Sequence, residues 1–276
     1  MNSEYKNKKS IVVESNRIRA EFIPDPGGKM ASLINKETGY EYLVQRKNKI
    51  YRDQPFDGIF VDGECSGYDD MFPTIDPCTY EGEPWAGVQL ADHGEVWSLP
   101  WEYKADNNTL YMSVKGVRFP YKLEKNIYLS DENTLRIDYI LTNYSPFDFE
   151  FLWAGHLMMN IEEGTQVKVP DDCKQVTTIL TNGQGKFGDI HNWPYLKDKE
   201  GNSYRADISR HHDAKGFEKY YFNNRLKDGW CQLVYPENKN NLKVSFPVDT
   251  VPYLGVLMNE DGWDGLYNII IEPCTI

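Results

Sequence analysis

The side chains able to do chemistry gather first in Gly67 to Trp101, GYDDMFPTIDPCTYEGEPWAGVQLADHGEVWSLPW. His93, one of five histidines, precedes a glycine and stands among Asp92, Glu95, Trp85, Trp97 and Trp101, with Asp70 further upstream. Carboxylates, an imidazole and flat indole faces suit a pocket for a polyhydroxylated ring, because hydroxyls need donors and acceptors while C–H faces stack on aromatics. An irregular loop with buried tryptophans and a structural histidine accounts for the same residues equally well. Two other groups join His93 as candidates for acid–base work. His156 follows an aromatic run, and Glu272 follows Ile269-Ile270-Ile271. A carboxylate at the edge of an apolar run is expected to be partly desolvated, which suits a general base; a rim glutamate that ends a strand is the plainer account.

Other chemistries find little support. His211-His212-Asp213 is the densest group of metal-ligating types. Neighbouring residues on a strand point to opposite faces, so these read as surface histidines, and no metal is expected. Five scattered cysteines with no C-x-x-C pair suggest neither a disulfide framework nor a thiolate metal site. No G-x-S-x-G elbow is present. Gly27-Gly28 lacks the lysine and spacing of a phosphate loop and reads as a turn.

The elements that must carry these residues are strands. Short β-rich runs cover Ile11 to Ser15, Arg17 to Ile23 and Lys29 to Ile34, separated by turn residues. Residues 45 to 92 form a long Gly-, Pro- and Asp-rich excursion, of a kind that is usually functional when it is not disordered. Alternation is clear in Leu110, Met112 and Val114, and again through Tyr121 to Leu129 and Leu135 to Leu141. A strand is expected from Phe147, with Phe147, Phe149, Phe151 and Trp153 on one face and His156 on the other. Residues 181 to 229 read as loops with short strands. The pattern resumes in Trp230 to Tyr235, Leu242 to Val248, Tyr253 to Met258 and Leu266 to Ile271. No long 3.6-residue periodicity, repeat or linker intervenes, so the expectation is one all-β domain over residues 1–276, an antiparallel β-sandwich.

Composition narrows the partners. Thirty Lys+Arg against 42 Asp+Glu leave a formal net charge of −12, which argues against nucleic acid and anionic membranes. The polar start MNSEYKNKKS and the lack of a membrane-length apolar run predict a soluble, non-exported, cytoplasmic protein.

Five marks fall in order along the chain: Pro26-Gly27-Gly28; Asp92-His93-Gly94-Glu95-Val96-Trp97; Leu141-Thr142-Asn143; Trp153-Ala154-Gly155-His156 with Asn160; and Asn268 to Glu272-Pro273-Cys274. Together they resemble the aldose 1-epimerases, the galactose mutarotase-like proteins. The resemblance implies a twisted antiparallel supersandwich that binds a monosaccharide and interconverts its anomers without a cofactor. It casts Glu272 as the base at the C1 hydroxyl, His156 as the acid at the ring oxygen and His93 as a hydrogen-bonding support. Asp70, Asp92, Trp85 and Trp97 become candidate sugar contacts. The arginine clamp of the branch acting on hexose 6-phosphates has no counterpart here, which favours an unphosphorylated aldose. The alternative function is a carbohydrate-binding module of the same fold without turnover. Oligomeric state is not legible.

Overall fold

The computed structural model describes every residue except Met1, Gln54, Asn107, Gln184 and Asn238. Among the described residues there is no α-helix, only two 3-10 turns at Phe60–Asp62 and His212–Ala214. No helix is long and apolar enough to cross a membrane. The chain divides into two compact units, Met1–Ala154 and Gly155–Ile276. All strand pairings within both units are antiparallel wherever a register is defined.

The first unit contains β1 (Asn2–Tyr5), β2 (Lys8–Glu14), β3 (Ile18–Ile23), β4 (Lys29–Asn35), β5 (Tyr40–Glu41), β6 (Tyr68–Met71), β7 (Cys78–Thr79), β8 (Gln89–Leu90), β9 (Glu102–Asp106), β10 (Thr109–Lys115), β11 (Tyr121–Asp131) and β12 (Thr134–Asn143). One sheet runs β1-β2-β3-β4-β6, with β5 beside β4, and a second runs β12-β11-β10-β9. Strands β10 and β11 pack against β2. The alternation of β10 is realised as read, with Leu110, Met112 and Val114 buried. In β11 the buried row is Tyr121, Leu123, Lys125 and Ile127, so a lysine occupies a core position and needs a charged partner.

The strand expected from Phe147 does not form before Ala154. Its backbone is tied by isolated bonds, from Leu152 N to Pro73 O and from Glu150 N to the Tyr80 hydroxyl, and joins no ladder. The parity survives nonetheless: Phe147 and Phe149 meet Trp85, Phe151 meets Phe72, and Trp153 meets Tyr139. Extended backbone alone supplies the alternation of side chains.

The second unit holds β13 (Ala154–Asn160, beginning at the boundary residue), β14 (Gln166–Lys168), β15 (Gln175–Thr181), β16 (Ile190–Asn192), β17 (Tyr195–Lys197), β18 (Ser203–Arg205), β19 (Gly216–Phe222), β20 (Trp230–Val234), β21 (Leu242–Ser245), β22 (Tyr253–Glu260) and β23 (Tyr267–Cys274). Its main sheet runs β13-β23-β22-β19-β15-β16, and a smaller sheet runs β14-β20-β21. Two expectations change here. Strand β19 lies inside a stretch read mainly as loop, and it sits between β22 and β15. Strand β23 continues to Cys274, so Glu272 is an interior strand residue and not a rim carboxylate. Pro273 is next to the strand's last residue, where a missing N–H interrupts least.

Strand β19 alternates fully: Glu218, Tyr220 and Phe222 are buried, while Phe217, Lys219 and Tyr221 lie on the other, half-buried face. Burial pushes the Glu218 carboxyl up to about 7 against the opposing pull of Thr181, Arg210 and Tyr204. The folded protein therefore holds this proton more tightly than the unfolded chain does, between 4.5 and about 7. The resulting stability is fully present below that window and is lost as pH rises through it, by up to about 3 kcal/mol. Thermal melts across this range should show Glu218→Gln losing less stability than the wild type as pH rises; parallel curves would remove Glu218 as the source.

Candidate active site

The second unit assembles a site around Glu272. The carboxylate is 0% exposed, and three side chains address it. Tyr221 donates its hydroxyl to Oε2 at 2.5 Å, Lys219 Nζ stands 3.0 Å from Oε1, and His156 Nε2 stands 3.8 Å from the same oxygen. The β-sheet register explains how Tyr221 reaches it. Tyr221 of β19 is opposite Gly255 of β22, and Gly255 is opposite Glu272 of β23. Tyrosine and glutamate are thus two strands apart and meet over the one position in that row that has no side chain. A Cβ at Gly255 would lie 2.7 Å from the Tyr221 ring and 3.1 Å from Glu272 Oε2. His156 comes from β13, the other neighbour of β23, and is 4% exposed.

Filling this gap is expected to separate the pair. Gly255→Val should cost about 1–3 kcal/mol by overpacking and release the Tyr221 hydroxyl from Glu272. Tyr221→Phe removes the hydrogen bond without the bulk and should cost less. A crystal structure of Gly255→Val that retains the Tyr221–Glu272 bond would contradict this account of the glycine.

The first unit assembles a second cluster around His93. His93 has φ 60° and Gly94 φ 74°, and a Cβ at Gly94 would fall 2.1 Å from Phe72 O, so the His-Gly turn is packed directly on backbone. Asp92 Oδ1 accepts from His93 Nδ1 at 2.8 Å, and Asp92 Oδ2 accepts from Phe60 N at 2.9 Å. Because a carboxylate can only accept, Nδ1 carries the proton, and in the neutral ring Nε2 is the acceptor. The ring stacks on Phe60 at 4.4 Å and meets Trp97 edge-on. Trp97 is itself only 3% exposed and donates Nε1 to Asp92 O at 3.0 Å. Glu95 accepts from Tyr121 Oη, Val117 N and Arg118 Nη1, which ties down the turn before β11.

Two expected sugar contacts lie in other surroundings. Asp70 is 0% exposed, ion-paired with Lys125 at 2.8 Å, and accepts from Tyr68 Oη at 3.1 Å and Trp153 Nε1 at 3.2 Å. It is the partner that the core lysine requires. Beside it, Asp69 pairs with Lys29 at 2.6 Å, and burial raises its carboxyl despite that lysine. Trp85 packs edge-on against Phe119, Phe147 and Phe149. The structure thus brings Asp92, His93 and Trp97 together in one unit, and His156 and Glu272 in the other. Asp70 and Trp85 belong to packing networks of the first unit.

No protein-family model matches the chain, and no curated protein matches it. Solved structures do. A galactose mutarotase-like protein from Lactobacillus casei is similar with TM-score 0.69 at 17% identity, over 96% of this chain and 87% of that one. Another from Clostridium acetobutylicum gives 0.66 at 14% identity, over 100% and 87%. An Escherichia coli K12 protein, provisionally an aldose 1-epimerase, gives 0.68 at 13% identity, over 96% and 87%. The chain has the galactose mutarotase-like fold. The all-β antiparallel architecture expected from alternation and from the five marks is the one observed.

Within this mutarotase-like fold, sequence reading passed over Lys219 and Tyr221, the side chains that hold Glu272. A signal was available: Gly216 to Phe222 alternates over seven residues, but its charges and its polar surroundings hid it. Lys29 and Lys125 were missed for a different reason, since a lysine at a strand position reads as solvent-facing until a buried carboxylate is found opposite it.

Proposed function

We propose that the protein is an aldose 1-epimerase that interconverts the α and β anomers of an unphosphorylated aldose. The observation that carries this reading is the approach of His156 Nε2 to within 3.8 Å of Glu272 Oε1 in a buried setting. That is too long for a direct hydrogen bond and suits two groups that address neighbouring oxygens on one carbon. Glu272 takes the proton of the C1 hydroxyl while protonated His156 gives its proton to the ring oxygen. The C1–ring oxygen bond breaks, the free aldehyde turns about C1–C2, and the ring hydroxyl re-adds to the opposite face with the two groups exchanging roles. Tyr221 and Lys219 orient the carboxylate, and the incoming hydroxyl takes the place Lys219 holds on Oε1. His93, its Nδ1 engaged by Asp92, is the first unit's candidate for hydrogen-bonding a sugar hydroxyl. The mutarotase-like fold of the neighbours supports the same reading. A cytoplasmic setting is part of the proposal, supported by the five cysteines that stand as thiols.

A second reading, a sugar-binding protein without turnover, is favoured by one feature: Glu272 is wholly buried and already engaged by Lys219 and Tyr221. Anomeric exchange separates the two. Polarimetry or exchange NMR on freshly dissolved glucose, galactose and xylose should show faster equilibration with the protein; chemical-shift changes without faster exchange would establish the binder.

A further inference from the structure

His211 and His212 do not diverge as neighbouring residues of a strand would, because they lie in a turn. His212 opens a 3-10 turn, His212–Ala214, for which His211 is the N-cap, and Lys215 closes it at φ 49°. The turn brings the side chains together. Ring centroids of the two histidines are 4.1 Å apart, His211 Nδ1 lies 3.2 Å from Asp213 Oδ2, and His212 Nδ1 lies 3.3 Å from Asp213 Oδ1. One ligand atom from each of the three residues falls within 4.8 Å of the others. His211 Nδ1 also accepts the Asp213 backbone N–H at 3.3 Å, so an ion bound at this nitrogen would displace that bond.

Two solvent-exposed imidazoles and a carboxylate thus offer a cation one donor set. The separations of 3.2 and 3.3 Å run to the two oxygens of Asp213, so one carboxylate faces both imidazoles. A second observation points the same way. The two histidines line a cavity of about 470 Å³ whose other walls include Glu163, Asp261 and Tyr267, which adds two carboxylates to the neighbourhood. Asp261 is paired with Lys215, and its backbone bridges to Gly216 at the start of β19.

We propose that His211, His212 and Asp213 bind one divalent transition-metal ion of the zinc class. Two imidazoles with one carboxylate select borderline metals such as zinc, cobalt or nickel over calcium and magnesium, which prefer all-oxygen sites. The ion would brace the turn before β19, the strand that carries Lys219 and Tyr221. The site shares no residue with the epimerase reading, and either can fail without the other.

The test uses untagged, chelator-treated full-length protein. Titration calorimetry with zinc chloride should show saturable binding of one ion per chain in the micromolar range. Cobalt should give a visible ligand-field spectrum that zinc abolishes. His211→Ala and His212→Ala should each weaken binding at least about tenfold, while His191→Ala leaves it unchanged. These histidines are half exposed, so the variants should keep the wild-type circular dichroism. Absence of saturable zinc binding, undiminished affinity in the double variant, or loss on His191→Ala would overturn the proposal.

Discussion

Replacing Glu272 by glutamine is expected to slow anomer interconversion by about 10²–10⁴-fold, the usual contribution of one positioned acid or base. The substitution is nearly isosteric. A glutamine oxygen still accepts the Tyr221 hydroxyl, and Lys219, which loses its ion pair, is partly exposed and can reach water. The fold should therefore survive, and the loss should appear in kcat with little change in KM, because the proton transfer belongs to the transition state. His156→Ala should give a loss in the same range. The double variant should be little slower than either single one, since both groups serve one step in the proposed reaction. Exchange NMR measures the rate directly. A Glu272→Gln protein with the wild-type rate would remove Glu272 as the base.

Lys125→Met is expected to destabilise the protein by about 3–5 kcal/mol, because it leaves a buried carboxylate without its counter-charge. Lys125 is 2% exposed, donates to Gly28 O at 2.6 Å and pairs with Asp70. Tyr68 and Trp153 contribute neutral hydrogen bonds to Asp70 but no positive charge. Asp70→Asn combined with Lys125→Met should recover much of the loss, since removing both charges avoids the orphan. Urea and thermal melts report the size of the effect, a fall in Tm on the order of 10 °C. The same variants decide what Asp70 does. A change confined to sugar affinity, with stability intact, would make Asp70 a ligand contact and not the partner of a core lysine.

Such buried pairs mark the limit of local reading. Leu110, Met112 and Val114 announce their strand because burial acts on each side chain separately. Lys125 occupies the same kind of row in β11, yet nothing in its own neighbourhood says so; the reason for it is Asp70, 55 residues earlier in the chain. His93 is an intermediate case. Asp92 and His93 adjoin in the chain, and a positive-φ turn sets the carboxylate on the imidazole, a contact that the sequence reading placed only as a cluster of polar and aromatic side chains. That Phe60 would be the face on which the ring stacks was not foreseeable.

The amino-acid order by itself determined that the chain is all β, where most strands run, and that Pro26-Gly27-Gly28 is a turn, since period-two burial and backbone permissiveness are local properties. Tertiary structure alone decided that Glu272 lies within a strand, that Gly255 is the gap through which Tyr221 meets it, and that His211, His212 and Asp213 converge. These depend on register between strands and on the winding of a short turn. A shift of one residue in either exchanges every neighbour, and no single stretch of sequence records which alignment the whole sheet prefers.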